Sequence, residues 1–294
     1  MKNKRILGDL LLLLTAFIWG VSFVGQRVGM DRIEPISFNA ARQVPAAIAV
    51  GLVSIIKNRT DKTERSTEHK RNTLIGGICC GTALAFASIT QQMGLVYTTA
   101  GKAGFITAMY IIIVPVISFF IFRRKVSWLV WVSVITGVAG MYLLCIKDGF
   151  KLENGDTLIV ICAFLFAGHI LCCDYFSPRG DPIRMSAIQF MTAGLISAVI
   201  AFIAEEPNTD KIISAIIPIL YCGLISGGAG YTLQLVGQKY TEPSEASLIM
   251  SLESVFAVLA GAAVLGERMT GREIIGCVIM FSAIIIVQIP KNNS

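Results

Sequence analysis

The sequence predicts an all-α polytopic membrane protein, with ten transmembrane helices arranged as two inverted five-helix repeats around a central cavity. Three observations predict it. The chain is 54% hydrophobic and only 15% charged, whereas a soluble domain is about 25% charged. Its apolar runs, at roughly 18–22 residues each, can cross a hydrocarbon core of about 30 Å as helices. Its two halves match in sequence, and each holds an odd number of runs, so the second copy enters the membrane from the opposite side.

The runs span roughly 8–27, 36–56, 73–94, 99–122, 126–146, 156–175, 182–204, 212–236, 246–265 and 271–289. The first follows Met-Lys-Asn-Lys-Arg and Leu10 to Leu14, a signal-peptide-like start. The apolar run continues to about Val28, so an uncleaved first helix is expected. The second carries Asn39 and Arg42 and is followed by "KNRTDKTERSTEHKRN", Lys57 to Asn72, read as a solvated loop. The third holds Ser88 and Gln91; the fourth holds Thr107, Tyr110 and Pro115. Arg123, Arg124 and Lys125 separate the fourth from the fifth. His169 lies in the sixth, Ser186 and Gln189 in the seventh, Tyr231 and Gln234 in the eighth, and Glu253 in the ninth. Glu267 and Arg268, in "LGERMTG", read as an interfacial turn before the tenth.

Charge sets the expected orientation. With the N-terminus inside, the inner links hold sixteen of the 25 Lys and Arg residues and the outer links eight, with Arg42 left inside a span. That excess places both termini in the cytoplasm, in a multi-pass protein of the cell membrane. The formal charge of +6 is no nucleic-acid signal, because the basic residues sit between spans with no basic, aromatic-studded face. The eight cysteines all fall within or at the end of apolar spans, read as small packing residues. No zinc-type spacing is present, and no metal or cofactor is expected.

The internal repeat divides the chain into 1–150 and 151–294. "GDLLLLLTAFIWG" from Gly8 matches "GDTLIVICAFLFAG" from Gly155 at an offset of 147, which also relates Pro35 to Pro182. "YTTAGKAGFI" from Tyr97 matches "YTEPSEASLI" from Tyr240 at an offset of 143. Gly77-xxx-Gly81 and Gly223-xxx-Gly227 match at 146, in conflict with 143 a few residues later. Both are candidate close helix contacts.

Polar residues inside membrane helices turn towards protein or a wet cavity. Trp19, Ser22 and Gln26 share one helix face, as do Asn39 and Arg42, Ser88 and Gln91, and Thr107 and Tyr110. Ser186 and Gln189 are the repeat mates of Asn39 and Arg42; Tyr231 and Gln234 are those of Ser88 and Gln91; Glu253 is that of Tyr110. The candidate substrate and ion pathway is therefore Trp19, Ser22, Asn39, Arg42, Gln91, Tyr110, His169, Gln189, Tyr231, Gln234 and Glu253. The alternative is that these groups only bond one another across helices. At 1.5 Å per residue, Arg42 and Glu253 each lie about 10–12 Å deep from opposite faces. They mark two ends of one cavity rather than an ion pair.

Several function classes lose their signature. There is no Gly-x-x-x-x-Gly-Lys-Ser/Thr phosphate loop, no His-Glu-x-x-His and no Gly-x-Ser-x-Gly elbow, so no enzyme is expected. No selectivity-filter motif or soluble output domain is present either.

"FIWGVSFV" in the first span, Arg42, Pro115 and "SLESVFAVLAGAAVLGERMTGREIIGCVIMFSAII" together resemble the drug/metabolite transporter superfamily, in its ten-helix EamA-type branch. The likeness covers essentially the whole chain. It implies a secondary active transporter that exports small metabolites such as amino acids or amphipathic drugs across the cytoplasmic membrane by alternating access. It implies a small-molecule substrate, protons as the candidate coupling ion, a lipid bilayer around the helices and no nucleic acid. Glu253 matches a glutamate frequent in this branch, and the proline that often follows it is Ser254 here. A kink is thus expected at Pro115, while the second half lacks the proline that would make one. The alternative is a non-transporting scaffold or a lipid-handling protein.

Overall fold

The computed structural model describes residues 2–60, 65–97, 100–146, 155–265 and 269–289. It is all-helical, with ten helices long and apolar enough to cross a membrane. In chain order these are α1 (Lys2–Met30), α2 (Pro35–Thr60), α3 (Thr67–Leu95), α4 (Ala100–Thr107 and Tyr110–Phe120) and α5 (Trp128–Cys145). The second set is α6 (Asp156–Phe176), α7 (Pro182–Ala204), α8 (Ile216–Tyr221, Cys222–Tyr231 and Thr232–Gln238), α9 (Pro243–Met250 and Glu253–Leu265) and α10 (Gly271–Gln288). A short helix, Thr209–Ser214, precedes α8.

Local chemistry sets several ends. Ser66 caps α3 by accepting from the His69 amide, and Asp181 caps α7 ahead of Pro182. Thr270 and Glu273 form a reciprocal capping box on α10. The caps correct one expectation: α2 and α3 extend into the Lys57–Asn72 link, because Ser66 starts α3 well before the apolar run. Glu267 and Arg268 lie outside the described residues.

The helices pair between halves. α2 packs on α7, and α5 on α10. α3 packs on α6 and α7, while α8 packs on α1 and α2. α1 meets α9, and α6 meets α4. Exchanging each helix with the one five places later leaves this set unchanged, as an inverted repeat requires. One face of the bundle carries the start of α1 and the end of α10; it is called the terminal face below.

Glycines permit the closest crossings. A Cβ at Gly155 would lie 2.6 Å from the Gly94 carbonyl oxygen, and one at Gly8 2.8 Å from that of Gly237. These two contacts are mates: Gly8 and Gly155 differ by 147, and Gly94 and Gly237 by 143. At α5–α10, a Cβ on Gly140 or Gly276 would meet the other's carbonyl oxygen at 2.9 or 2.7 Å.

The glycine register read at 146 is corrected. A Cβ on Gly81 would strike the Gln189 carbonyl at 2.6 Å, and one on Gly223 the Arg42 carbonyl at 2.5 Å. Arg42 and Gln189 are mates, so Gly81 corresponds to Gly223, at an offset of 142. The offset grows to 143 by Gly94 and Gly237 because Cys222–Tyr231 is a π-helix. An i→i+5 turn takes up one residue more than an α turn.

The expected kink pattern is also corrected. α4 breaks at Ala108–Met109, ahead of Pro115, and α9 breaks at the equivalent Ser251–Leu252 without a proline. Both breaks use the same tight i→i+3 bonds: Met109 to Ile106 and Ile111 to Ala108, then Leu252 to Ile249 and Ser254 to Ser251. In α9 the Ser251 hydroxyl also takes the Leu248 carbonyl at 2.7 Å, which favours bending.

Ion pairs at both faces join the halves. Arg5–Glu245, Lys57–Asp181 and Arg124–Asp174 lie towards the terminal face, and Lys102–Asp156 and Lys211–Glu34 towards the other. Large apolar side chains such as Leu195, Phe202 and Ile203 point outward, as lipid-facing positions do.

Gly140→Val should lower the melting temperature of the purified protein by the equivalent of about 1–3 kcal/mol, since it overfills a backbone contact. Gly51→Ala, with nothing within 4 Å of its added Cβ, should leave the temperature unchanged or raise it, by up to about 1 kcal/mol.

Candidate functional site

The two helix breaks place Tyr110 and Glu253 at the first residue of each second segment. There the Tyr110 hydroxyl donates to Glu253 Oε1 at 3.3 Å. Two half-helix N-termini thus converge, and Glu253 sits where the helix dipole favours a carboxylate.

Arg42, only 8% exposed, is held by neutral amides. Its Nε and Nη2 donate to Asn39 Oδ1 at 3.0 and 2.9 Å, and its Nη1 to Gln26 Oε1 at 3.1 Å. Asn39 is itself fixed by donating to Ser197 Oγ at 3.0 Å, and Gln26 by accepting from Gln92 at 2.6 Å. No carboxylate pairs with Arg42 among the described residues. A guanidinium has five N–H groups, so two remain beyond these three bonds.

Trp19 and Tyr231 pack together, with ring centroids 4.6 Å apart and planes tilted at 51°. The π-helix of α8 seats them. Trp19 Nε1 donates to the Ser226 carbonyl at 3.1 Å, and the Thr15 hydroxyl to that of Gly230 at 3.3 Å. A Cβ on Gly230 would lie 2.5 Å from Trp19 Nε1, so the indole needs glycine there.

Trp19, Arg42, Tyr110, Tyr231 and Glu253 line one cavity of about 50 Å³, together with Gln26 and Gln91. Gln26, Arg42 and Gln91 lie nearer the face opposite the terminal one, while Tyr110 and Glu253 sit near the middles of α4 and α9, so the cavity runs from that half of the bundle to its centre. A larger groove of about 680 Å³ at α4 and α5 is lined by apolar and aromatic side chains, including Phe105, Trp131 and Tyr142. It offers no charged group.

Of the candidate residues, Trp19, Arg42, Gln91, Tyr110, Tyr231 and Glu253 line the cavity. The structure does not bring the other five there. Ser22 donates to the Ile18 carbonyl, and Asn39 stands behind Arg42. His169 Nε2 lies 2.9 Å from Gln189 Oε1, with its ring edge-on behind Tyr231, and Gln234 donates to Gln238. Gln26, Gln43, Thr107, Phe166, Cys222, Ser226 and Gly227 line it as well. Gln26 and Thr107 share the polar faces of Trp19 and Tyr110. Phe166 is the mate of Trp19 at an offset of 147. Cys222 and Gly227 carry no signal by residue type, whereas Gln43 and Ser226 are polar residues inside spans that the pairing by helix face left out.

The model of the EamA-like transporter family matches residues 6–146 and again 153–289. The chain belongs to the EamA-like transporter family. It is a membrane transporter and not an enzyme. Among EamA relatives, an uncharacterized transporter of Archaeoglobus fulgidus is 31% identical over 97% of this chain and 87% of its own length. The uncharacterized transporter YoaV of Bacillus subtilis is 24% identical over 90% of each chain. A WAT1-related chloroplastic protein of Arabidopsis thaliana is 22% identical over 94% of this chain and 68% of its own. A solved crystal structure shares the EamA fold at a TM-score of 0.78, with 15% identity, covering 95% of this chain and 96% of that one.

Trp19→Phe strands the Ser226 carbonyl. It should destabilise this EamA protein by about 1–3 kcal/mol, read as a lower melting temperature, whereas Ser226→Ala should change it little because the partner is the backbone.

Proposed function

We propose that the protein is a secondary active transporter that exports small zwitterionic or amphipathic metabolites, such as amino acids or amphipathic drugs, by alternating access. The supporting observation is the charge arrangement of one cavity. Arg42 has neutral partners and spare N–H groups, and Glu253 is held by the Tyr110 hydroxyl. A substrate carboxylate would accept from Arg42, and its ammonium group would face Glu253. The Trp19–Tyr231 pair supplies an aromatic wall of the same cavity. No charge favours a polyanion.

In this reading the terminal face lies in the cytoplasm of a cell whose plasma membrane holds the protein. The Lys and Arg excess on that side supports this placement. The cavity then runs from the outer half to the middle of the membrane. Its lining closes around a small space, so loading parts the halves, with the paired breaks in α4 and α9 as hinges. Glu253 also provides a coupling route. One carboxylate holds either a substrate ammonium or a proton, and that competition exchanges an outgoing solute for an incoming proton. The polar cavity favours this over a scaffold or lipid-handling role.

Counterflow of amino acids in liposomes tests the proposal. Arg42→Gln should weaken transport of carboxylated solutes about 10–100-fold, the value of charge-assisted hydrogen bonds of roughly 1.5–3 kcal/mol. Glu253→Gln, which mimics the protonated carboxyl, should weaken counterflow of ammonium-bearing solutes, and the flux that remains should not respond to a pH gradient. Equal flux in wild type and Arg42→Gln would remove the carboxylate assignment. An unchanged pH response in Glu253→Gln would remove the coupling role.

A further inference from the structure

The half of the bundle nearer the terminal face holds a cluster that transport does not use. Cys80 projects from α3, and His169 and Cys173 project from one face of α6, four residues apart. All three are fully buried, and their ligand atoms lie within 4.8 Å of one another. We propose that Cys80, His169 and Cys173 form a binding site for a thiophilic divalent cation, zinc being the fitting ion.

The spacing matches the ion. Cys80 Sγ and Cys173 Sγ are 3.7 Å apart, and Cys173 Sγ is 3.9 Å from His169 Nδ1. With Zn–S bonds of about 2.3 Å and Zn–N bonds of about 2.0 Å, the edges of a tetrahedral site are roughly 3.8 Å between sulfurs and 3.5 Å from sulfur to nitrogen. The His169 Nε2 donates to Gln189 Oε1 at 2.9 Å, which leaves the lone pair on Nδ1. Cys173 Sγ is nearly equidistant from the two ring nitrogens, 3.9 Å from Nδ1 and 3.7 Å from Nε2, so a modest turn of the ring would aim Nδ1 at a shared ion. Zinc-ligating histidines usually place their second nitrogen against such an acceptor.

Charge balances as well. A divalent cation takes two thiolates and a neutral imidazole, releasing two protons from the thiols. The product is neutral, which suits an apolar interior where a net charge is costly. Soft thiolate ligands select zinc over magnesium or calcium.

The repeat does not impose this set. The mates of Cys173 and His169 at an offset of 147 are Gln26 and Ser22, and that of Cys80 at 142 is Cys222. The equivalent place in the first half therefore offers one thiol and no imidazole. Packing accounts for any one buried cysteine, but not for three soft ligands converging from two helices. The cluster also joins α3 of the first half to α6 of the second, so an occupied site would clamp the halves together on this side.

The test uses the full-length, reduced protein in detergent, with cadmium as the probe. Expected is one cadmium bound per chain, with a thiolate-to-metal charge-transfer band that zinc displaces, and a raised melting temperature. Cys80→Ser and Cys173→Ser should abolish the band, with Cys80→Ala and Cys173→Ala standing in if the serine variants fail to fold. Cys79→Ser and Cys277→Ser should keep it. Gln189→Leu, acting only through His169, should weaken binding about 10–100-fold. Absence of the band in wild type, or its persistence in both the Cys80 and the Cys173 variants, would overturn the site. None of these readouts depends on transport.

Discussion

Close backbone approach between the two halves is the constraint on which the rest of this structure depends. Lipid tails are as apolar as leucine, so no hydrophobic drive pulls membrane helices together, and packing must do so. Gly8 against Gly237, Gly94 against Gly155, and Gly140 against Gly276 let main chains touch. α3 and α8 are thereby lodged against the other repeat. The ion pairs at both faces run the same way, from one half to the other. The cavity is what this interlocking leaves open, between the inner faces of α1, α2, α3, α4, α6, α8 and α9.

Within that frame, departures from regular helix carry the chemistry. The breaks at Ala108–Met109 and Ser251–Leu252 turn two spans into half-helices whose N-termini converge at Tyr110 and Glu253. The π-helix of α8 shifts its later residues by one position and offers carbonyls to Trp19 and Thr15. Discontinuous backbone at membrane depth is tolerated where protein covers it or where it lines a cavity. Both conditions hold here. Arg42 is retained in an apolar setting by two amides, Asn39, itself held by Ser197, and Gln26, itself held by Gln92.

Much of this architecture is legible in the sequence, because run length and repeat offset are direct consequences of bilayer thickness and of duplication. The offsets of 147 and 143 relate one touching glycine pair, Gly94 and Gly155, to the other, Gly237 and Gly8. Tyr110 and Glu253 read as mates, and the structure adds that they meet in a hydrogen bond. Other features are not legible. A π-turn has no residue signature, so Gly77-xxx-Gly81 aligned with the wrong glycines. The break ahead of Pro115 is made by i→i+3 hydrogen-bond geometry, which no residue type marks. Symmetry also names mates without saying which one faces the cavity. Inversion puts Arg42 and Gln189, or Gln91 and Gln234, in opposite halves of the bundle, and the cavity extends into only one of them.

The interlocked halves also bear on how the chain is made. α1 to α5 cannot reach their final packing alone, because the surfaces of α2, α3 and α5 are completed by α6, α7 and α10. At about 5–20 residues per second, the second repeat emerges over roughly 7–30 s. Throughout that interval the nascent first half sits in the bilayer with its glycine grooves empty and Asn39 without Ser197. Synthesis of the second half is therefore also the folding step of the first, and a ribosome stalled after α5 would leave an orphan for membrane quality control.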